Sequence, residues 1–212
     1  MIIVALSDSH GNHNSVGLPE GEIVIHCGDF TRRSNYQEIL DFIQWFSDLQ
    51  FNYKILVAGN HDRFIQKRKV EFYEILKNRN IIYLENQAIQ IAGFNFFGSP
   101  YTRNYGGIGA FTYSDDYEAR QIWNLIPENT DVLITHGPPE GHRDYSKTEN
   151  KNTGCPVLRT RVLLVKPRYH IFGHIHESYG TEEVGGIFFI NASLVNGAEE
   201  PVNKPVVLML DN

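Results

Sequence analysis

Seven side chains in this sequence could hold metal ions together: Asp8, His10, Asp29, Asn60, His136, His174 and His176. They mix carboxylate, amide oxygen and imidazole, a donor set that suits Mn, Fe or Zn. All-oxygen sites favour Mg or Ca and thiolate-rich sites favour structural zinc, so the number of His and the lack of Cys among them argue against both. Seven donors are too many for one ion. At roughly four to six ligands per ion, water included, they fit two ions sharing a bridging carboxylate about 3.5–4 Å apart. Taken singly, an Asp or His is more often a solvated turn residue or a hydrogen-bonded core histidine; only the joint pattern points to chemistry.

Each candidate follows a short apolar run rich in β-branched residues, the pattern of a buried strand feeding a functional loop. Residues 2–6 run into Ser7-Asp8-Ser9-His10-Gly11, 23–27 into Gly28-Asp29, and 55–58 into Gly59-Asn60-His61-Asp62. Residues 132–135 run into His136-Gly137, and 169–172 into Gly173-His174-Ile175-His176. A sheet fixes the backbone there, while the turn beyond it exposes side chains that a continuing strand would bury. Helical patterns lie between these runs. The clearest covers 34–49, where Ile39, Phe42, Ile43 and Phe46 form one stripe and Ser34 with Gln37 resembles a capping box. Weaker helices are expected over 70–77, over 115–125 after a Ser114 cap, and over 157–165 between Pro156 and Lys166-Pro167.

Runs at 81–84, 88–91 and 94–97 are separated by turn residues and read as antiparallel strands joined by hairpins, with two more strands at 188–192 and 206–210. Stretches 104–113 and 138–154 read as loops. Alternating strands and helices with clustered hairpins imply an α/β fold: a four-layer α/β/β/α sandwich of two mixed β-sheets flanked by helices, the metal site at the carboxyl ends of the strands.

With 212 residues, the chain suits a single domain over 1–212. Hydrophobic residues at 42% and charged residues at 21% are ordinary globular values, so disorder is not expected. The opening Met1-Ile2-Ile3-Val4-Ala5-Leu6 has no basic leader and is too short for a signal core or a span, so the expectation is a cytoplasmic protein without a membrane partner. Cys27 and Cys155 cannot build a disulfide framework and read as reduced structural thiols. A formal charge of −6 weighs against long nucleic acid as a partner. A small phosphorylated substrate stays compatible, because bound cations reverse the local potential.

The ordered set Asp8-x-His10, Gly28-Asp29, Gly59-Asn60-His61-Asp62, His136 and Gly173-His174-Ile175-His176 resembles the signature of calcineurin-like metallophosphoesterases and spans nearly the whole chain. One D-x-H arises by chance in many chains. Five pieces in order, each at an expected strand end, form a far more specific pattern. Gly28-Asp29-Phe30-Thr31 and Phe172-Gly173-His174-Ile175-His176-Glu177 look most like the small metallophosphoesterase-domain branch, some of whose members act as phosphodiesterases. The resemblance implies two divalent or trivalent transition-metal ions, the first on Asp8, His10 and His176, the second on Asn60, His136 and His174, with Asp29 bridging. Some members of that branch have lost the first histidine of Gly-His-x-His, and with it strong metal binding and activity; His174 is present here.

It further implies hydrolysis by a metal-bridging hydroxide, with His61 protonating the departing oxygen and Asp62 orienting its imidazole. The expected activity is that of a metal-dependent phosphoric ester hydrolase, a phosphodiesterase acting on a small phosphate ester or nucleotide. Its alternatives are a phosphomonoesterase or protein phosphatase, a nuclease, and a noncatalytic metal- or nucleotide-binding scaffold.

Among the remaining residues, His26 and His170 sit inside strands and read as structural, whereas His13 and His142 sit in polar loops where solvent exposure is the default. Arg32, Arg33 and Arg103 read as surface residues. Asn191 suits either a hydrogen bond behind the site or a turn. Trp45, Phe46 and Tyr117 suit the core or a helix face.

Overall fold

The computed structural model describes residues 1–104 and 106–211; Tyr105, inside the loop expected at 104–113, lies outside the described residues. In chain order the strands are β1 (Ile2–Leu6), β2 (Ile23–His26), β3 (Tyr53–Leu56), β4 (Ile82–Tyr83), β5 (Gln87–Ile91), β6 (Phe94–Ser99), β7 (Thr102–Arg103) and β8 (Thr112–Tyr113). They continue with β9 (Val132–Thr135), β10 (Tyr145–Ser146), β11 (Lys151–Asn152), β12 (Tyr169–Phe172), β13 (Gly180–Val184), β14 (Ile187–Asn191) and β15 (Val206–Met209). The helices are α1 (Tyr36–Asp48), α2 (Arg63–Lys67), α3 (Lys69–Leu76), α4 (Asp116–Trp123) and α5 (Pro156–Val165).

One sheet has the order β15-β1-β2-β3-β4 and the other β13-β14-β12-β9-β6-β5. In the first, β1 to β4 run parallel and β15 closes the edge antiparallel; in the second, a parallel centre is flanked by antiparallel β13 and β5. Strand alternation builds the layers. Ile3, Ala5, Ile23, Ile25 and Ile55 point between the sheets to meet Phe96, Val132, Ile134, Ile171 and Ile190. Their neighbours Val4, Leu6, Val24 and Leu56 face outward onto Ile39, Phe42, Ile43 and Phe46 of α1 and Phe72 of α3. On the far side, Phe97, Leu133, Phe172 and Phe189 meet Trp123 of α4 and Leu158 and Val162 of α5. This is the four-layer α/β/β/α arrangement of two mixed sheets. Each fully buried Ile or Phe in these seams contributes about 1.5–3 kcal/mol before conformational entropy is subtracted.

The local details depart from sequence expectation at several points. Helix α1 is capped one residue later than expected: Asn35 accepts from the Glu38 N–H and Glu38 bonds back to the Asn35 N–H, while Ser34 turns aside to accept from the Phe64 N–H. Asp115 rather than Ser114 caps α4. Residues 81–84 do not join the hairpin. Their strand, β4, pairs parallel with β3 in the first sheet, and only β5 and β6 form the antiparallel pair. The 138–154 loop holds a small two-stranded clip, β10 with β11, and the 104–113 loop is closed by another, β8 at its end pairing with β7 just before its start. No described helix is long and apolar enough to cross a membrane.

Candidate metal centre

The carboxyl ends of β1, β2 and β3 supply Asp8, His10, Asp29 and Asn60; those of β9 and β12 supply His136, His174 and His176. The two sheets are laced together at this end, because the Ser7 N–H donates to the Ala192 carbonyl and the Leu194 N–H to that of Ser7. Two clusters result. Asp8, His10 and His176 have donor atoms within 4.8 Å of one another, and so do Asp29, His136 and His174. Asn60 joins the second cluster, its Oδ1 2.9 Å from His136 Nε2, and Asp29 Oδ2 lies 3.2 Å from the same nitrogen.

Turning side chains inward at a strand end requires unusual backbone. Asp8, His10, Asp29 and His174 all adopt positive φ, between 42° and 68°, a region that costs a non-glycine residue of order 1 kcal/mol. Such strain persists only where the surroundings enforce it. Gly59 shows how tightly they do: a Cβ there would stand 2.7 Å from His136 Cε1 and 2.5 Å from the Asp29 nitrogen.

Buried hydrogen bonds fix the ligand loops. His136 Nδ1 donates to the Cys27 carbonyl at 3.0 Å, which fixes the ring so that Nε2 faces Asp29 and Asn60; a bound metal would replace the Nε2 proton there. The His174 N–H donates to both oxygens of Asp8, at 3.2 and 3.0 Å. Asn191 donates to the Ile175 carbonyl at 2.8 Å and accepts from the Ser193 N–H, so it spans the turn bearing His174 and His176. Behind the first sheet's ligands, His26 Nδ1 accepts from the Gly28 N–H, so its Nε2–H donates to Ser9 Oγ at 3.1 Å. Behind the second, Thr135 donates to the Gly137 carbonyl and takes a hydrogen bond from His170 Nε2 at 2.8 Å. Burial pushes both His26 and His170 down to about 3, so each is neutral.

The electrostatics suit cations. Asp8 and Asp29 are fully buried, and no described Lys or Arg pairs with either. Burial raises both carboxyls, but the facing imidazoles, His176 for Asp8 and His136 for Asp29, outweigh it and hold them well below the usual carboxylate range. His136 is lowered by burial and raised more strongly by Asp29, ending at about 9, whereas burial takes His174 down to about 3. His10 Nε2 and His176 Nε2 face each other at 3.3 Å, close to Asp8. Buried carboxylates surrounded by converging imidazole nitrogens and one amide oxygen form a donor set that fits divalent transition metals.

His61 is half-buried, its ring edge-on to His10 at 4.9 Å and its backbone N–H donating to Asp29 Oδ1 at 2.7 Å. Asp62 does not orient that ring. Its carboxylate accepts from the N–H groups of Asp29, Gly59 and Thr31 and from the Thr31 hydroxyl, so all its capacity goes to holding the two ligand loops together. Sequence reading placed Asp62 beside His61 because they are adjacent; the four-residue turn from Gly59 to Asp62, closed by the Asp62 N–H on the Gly59 carbonyl, sends its side chain beneath the loop instead.

His13 and His142, expected in solvent, are buried. His13 packs against Phe42 and Trp45, and His142 stacks flat on Phe189 with Nδ1 3.1 Å from Glu182. Arg32 pairs with Glu199, and Arg103, 3.6 Å from Asp116, lines a pocket of about 310 Å³ that opens beside Asn60, His61 and His174. The Cys27 carbonyl and the Thr31 hydroxyl were missed by sequence reading; neither role leaves a residue-type signal.

The family model described as "Calcineurin-like phosphoesterase" matches residues 1–178. "Metallophosphoesterase domain-containing protein 1" of Homo sapiens is 36% identical over 229 residues, covering 98% of this chain and 70% of the relative. "UPF0046 protein K07C11.7" of Caenorhabditis elegans is 32% identical over 222 residues, with 98% and 74% covered. The solved structure of TT1561 from Thermus thermophilus superposes with a TM-score of 0.62 at 12% identity, over 90% of this chain and 88% of that one, a likeness of fold alone. A family match across most of the length, reaching the loops of both clusters, together with relatives at this identity, makes the chain a member of the calcineurin-like phosphoesterase family.

Proposed function

We propose that the protein is a two-metal phosphoesterase hydrolysing small or nucleotide-like phosphodiesters, with Asp8, His10 and His176 holding one ion, Asn60, His136 and His174 the other, and Asp29 shared. The observation that carries the reading is the adjacency of the two clusters, the His174 N–H donating to Asp8 and His61 lying edge-on to His10, with Asn60, His61 and His174 lining the pocket beside them. When bound, the ions would neutralise phosphate charge and lower the pKa of a water. The chain's own residues do the rest. His136 and Asn60 are pinned, so the substrate phosphorus meets a fixed frame, and His61 at the mouth gives a proton to the departing oxygen as its bond to phosphorus breaks.

Preference for a diester follows from charge. The pocket wall offers one guanidinium, Arg103, which already lies near Asp116, so it suits a monoanionic diester better than a dianionic monoester. About 310 Å³ leaves room for a leaving group of modest size. The test uses chelated protein with stepwise return of Mn, Fe or Zn, assayed on bis-p-nitrophenyl phosphate, p-nitrophenyl phosphate, cyclic nucleotides and single-stranded DNA. Diester turnover should appear with metal and exceed monoester turnover. Preference for the monoester would overturn the diester reading, and inactivity with every metal would overturn the hydrolase.

A further inference from the structure

A second pocket, of about 560 Å³, lies along α1 on the far side of the His10 turn. Its acidic and aromatic groups follow the helix: Asp41, Trp45 and Asp48 recur at i, i+4 and i+7 and share one side, with Glu38 a turn earlier. Seven residues of helix separate the two aspartates by about 10 Å, with the indole between them. Among the described residues the wall includes no Lys or Arg, and α1 itself contains none. Gln37 donates to Asp41 Oδ1 and Gln44 to Asp48 Oδ2, which leaves the other oxygen of each carboxylate without a hydrogen bond among the described residues. Arg79 is engaged by the Gln44 amide oxygen.

Acids spaced along an exposed helix face are ordinary. The independent observation here is His13, which also lines this pocket: it is 4% exposed, and neither ring nitrogen has a hydrogen-bond partner among the described residues. Its ring lies 5.1 Å from that of Trp45 and edge-on to Phe42. A buried imidazole without a partner is costly unless something donates to it. Burial favours the neutral form, which accepts from an ammonium N–H.

We propose that this pocket binds a linear aliphatic oligoamine, with one ammonium at Asp41, another at Asp48, the methylene chain along Trp45 and His13 as a further acceptor. One metal ion does not satisfy the geometry, because carboxylates two turns apart cannot both reach an ion at bonding distance. A chain with charged ends and an apolar middle matches the acid, aromatic, acid order, and each ammonium gains from the indole face as well as from a carboxylate.

Isothermal titration of the full chain in about 0.15 M salt, chelated and then manganese-loaded, tests this with 1,3-diaminopropane, 1,8-diaminooctane and spermidine. The two diamines carry equal charge and differ in reach. The octane diamine should bind at least about fivefold more tightly than the propane diamine, and D41N/D48N should weaken it about tenfold. Half-buried Trp45 should change its fluorescence on binding, whereas Trp123 is buried elsewhere. Circular dichroism checks that the variant remains folded. Equal affinity for both diamines would mean simple screening of the net charge and would overturn the proposal. So would binding unaffected by D41N/D48N, binding lost instead in Asp8→Asn, or no binding at millimolar amine.

Discussion

The two halves of the candidate centre are built alike and supported differently. In the half around His136, the ring's far nitrogen is held by the Cys27 carbonyl, its near nitrogen faces Asp29 and Asn60, and Asp62 ties the Asp29 and Asn60 loops together beneath. In the half around His10, the far nitrogen Nδ1 is buried without a partner among the described residues, and His176 opens a short 3-10 turn with its side chain 17% exposed. A pinned ring presents one lone pair in one direction, whereas an unpinned one can rotate. The His136 half is therefore a preorganised cup and the His10 half an adjustable one. During stepwise metal return to chelated protein, the first equivalent should enter the His136 half.

Removing Asp29, proposed above as shared by both halves, should give the largest effect. Asp29 reaches His136 with one oxygen and accepts from the His61 N–H with the other. Asp29→Ala should lower turnover roughly a thousandfold or more, the scale of deleting a principal electrostatic group, and should reduce metal stoichiometry in both halves. His10→Ala should release only one ion. Two full equivalents retained by Asp29→Ala under elemental analysis would mean that Asp29 is not shared.

His61 lines the pocket and belongs to neither cluster, so the proposed acid role can be tested apart from metal binding. His61→Ala should keep its metal content yet lose about 10²–10⁴ in turnover, most for poor alkyl leaving groups. Full activity on an alkyl diester would remove His61 from the reaction.

The asymmetry itself is tested at Asp62. Burial and the Asp29 charge push its carboxyl up to about 7, while four donors favour the ionised form that the loops need. Asp62→Asn turns one acceptor oxygen into an amine facing backbone N–H groups. Metal affinity of the His136 half should fall about 10–100-fold, with the His10 half little changed. Equal weakening of both would show that the two cups are not independently supported.

How much of this the sequence discloses depends on how locally each feature is encoded. The seven metal-ligand candidates are legible because a buried strand ending in a turn is a contiguous signal, and the β-branched runs before Asp8, Asp29 and His136 carry it. The layers follow from the same runs. The sheet joined by residues 81–84 is not legible, since a short apolar strand pairs with whichever neighbour tertiary packing supplies, here β3. Ser34 and Asn35 are both good caps, and the fold chose between them by committing Ser34 to the Phe64 N–H. His13 looked solvated because its neighbours are polar, yet Phe42 and Trp45, both beyond the first turn of α1, cover it. Asp62 is the instructive case: adjacency in sequence suggested a partner, and the turn dictated another.

The smallest effect contrasts the buried rings behind the ligand loops. His26, under the first sheet's turns, uses both nitrogens, whereas His170, under the second's, leaves Nδ1 without a partner among the described residues. Both sit at about 3 when folded, against 6.5 for an ordinary histidine. The folded state therefore excludes a proton that the unfolded chain binds, so stability is complete above about pH 6.5 and drains as pH falls from there toward 3. Each ring should cost about 1.4 kcal/mol per pH unit in that window. His170→Gln retains a donor for Thr135 and does not titrate, so in urea unfolding of chelated protein its stability relative to wild type should improve by roughly 1.4 kcal/mol between pH 7 and 5.5. His26→Gln should recover a similar slope from a lower starting point, because a glutamine cannot bond both Ser9 and Gly28 in the ring's geometry. If neither variant changes the pH dependence, the rings accept protons in the folded state, and the burial that separates them from solvent is weaker than their packing implies.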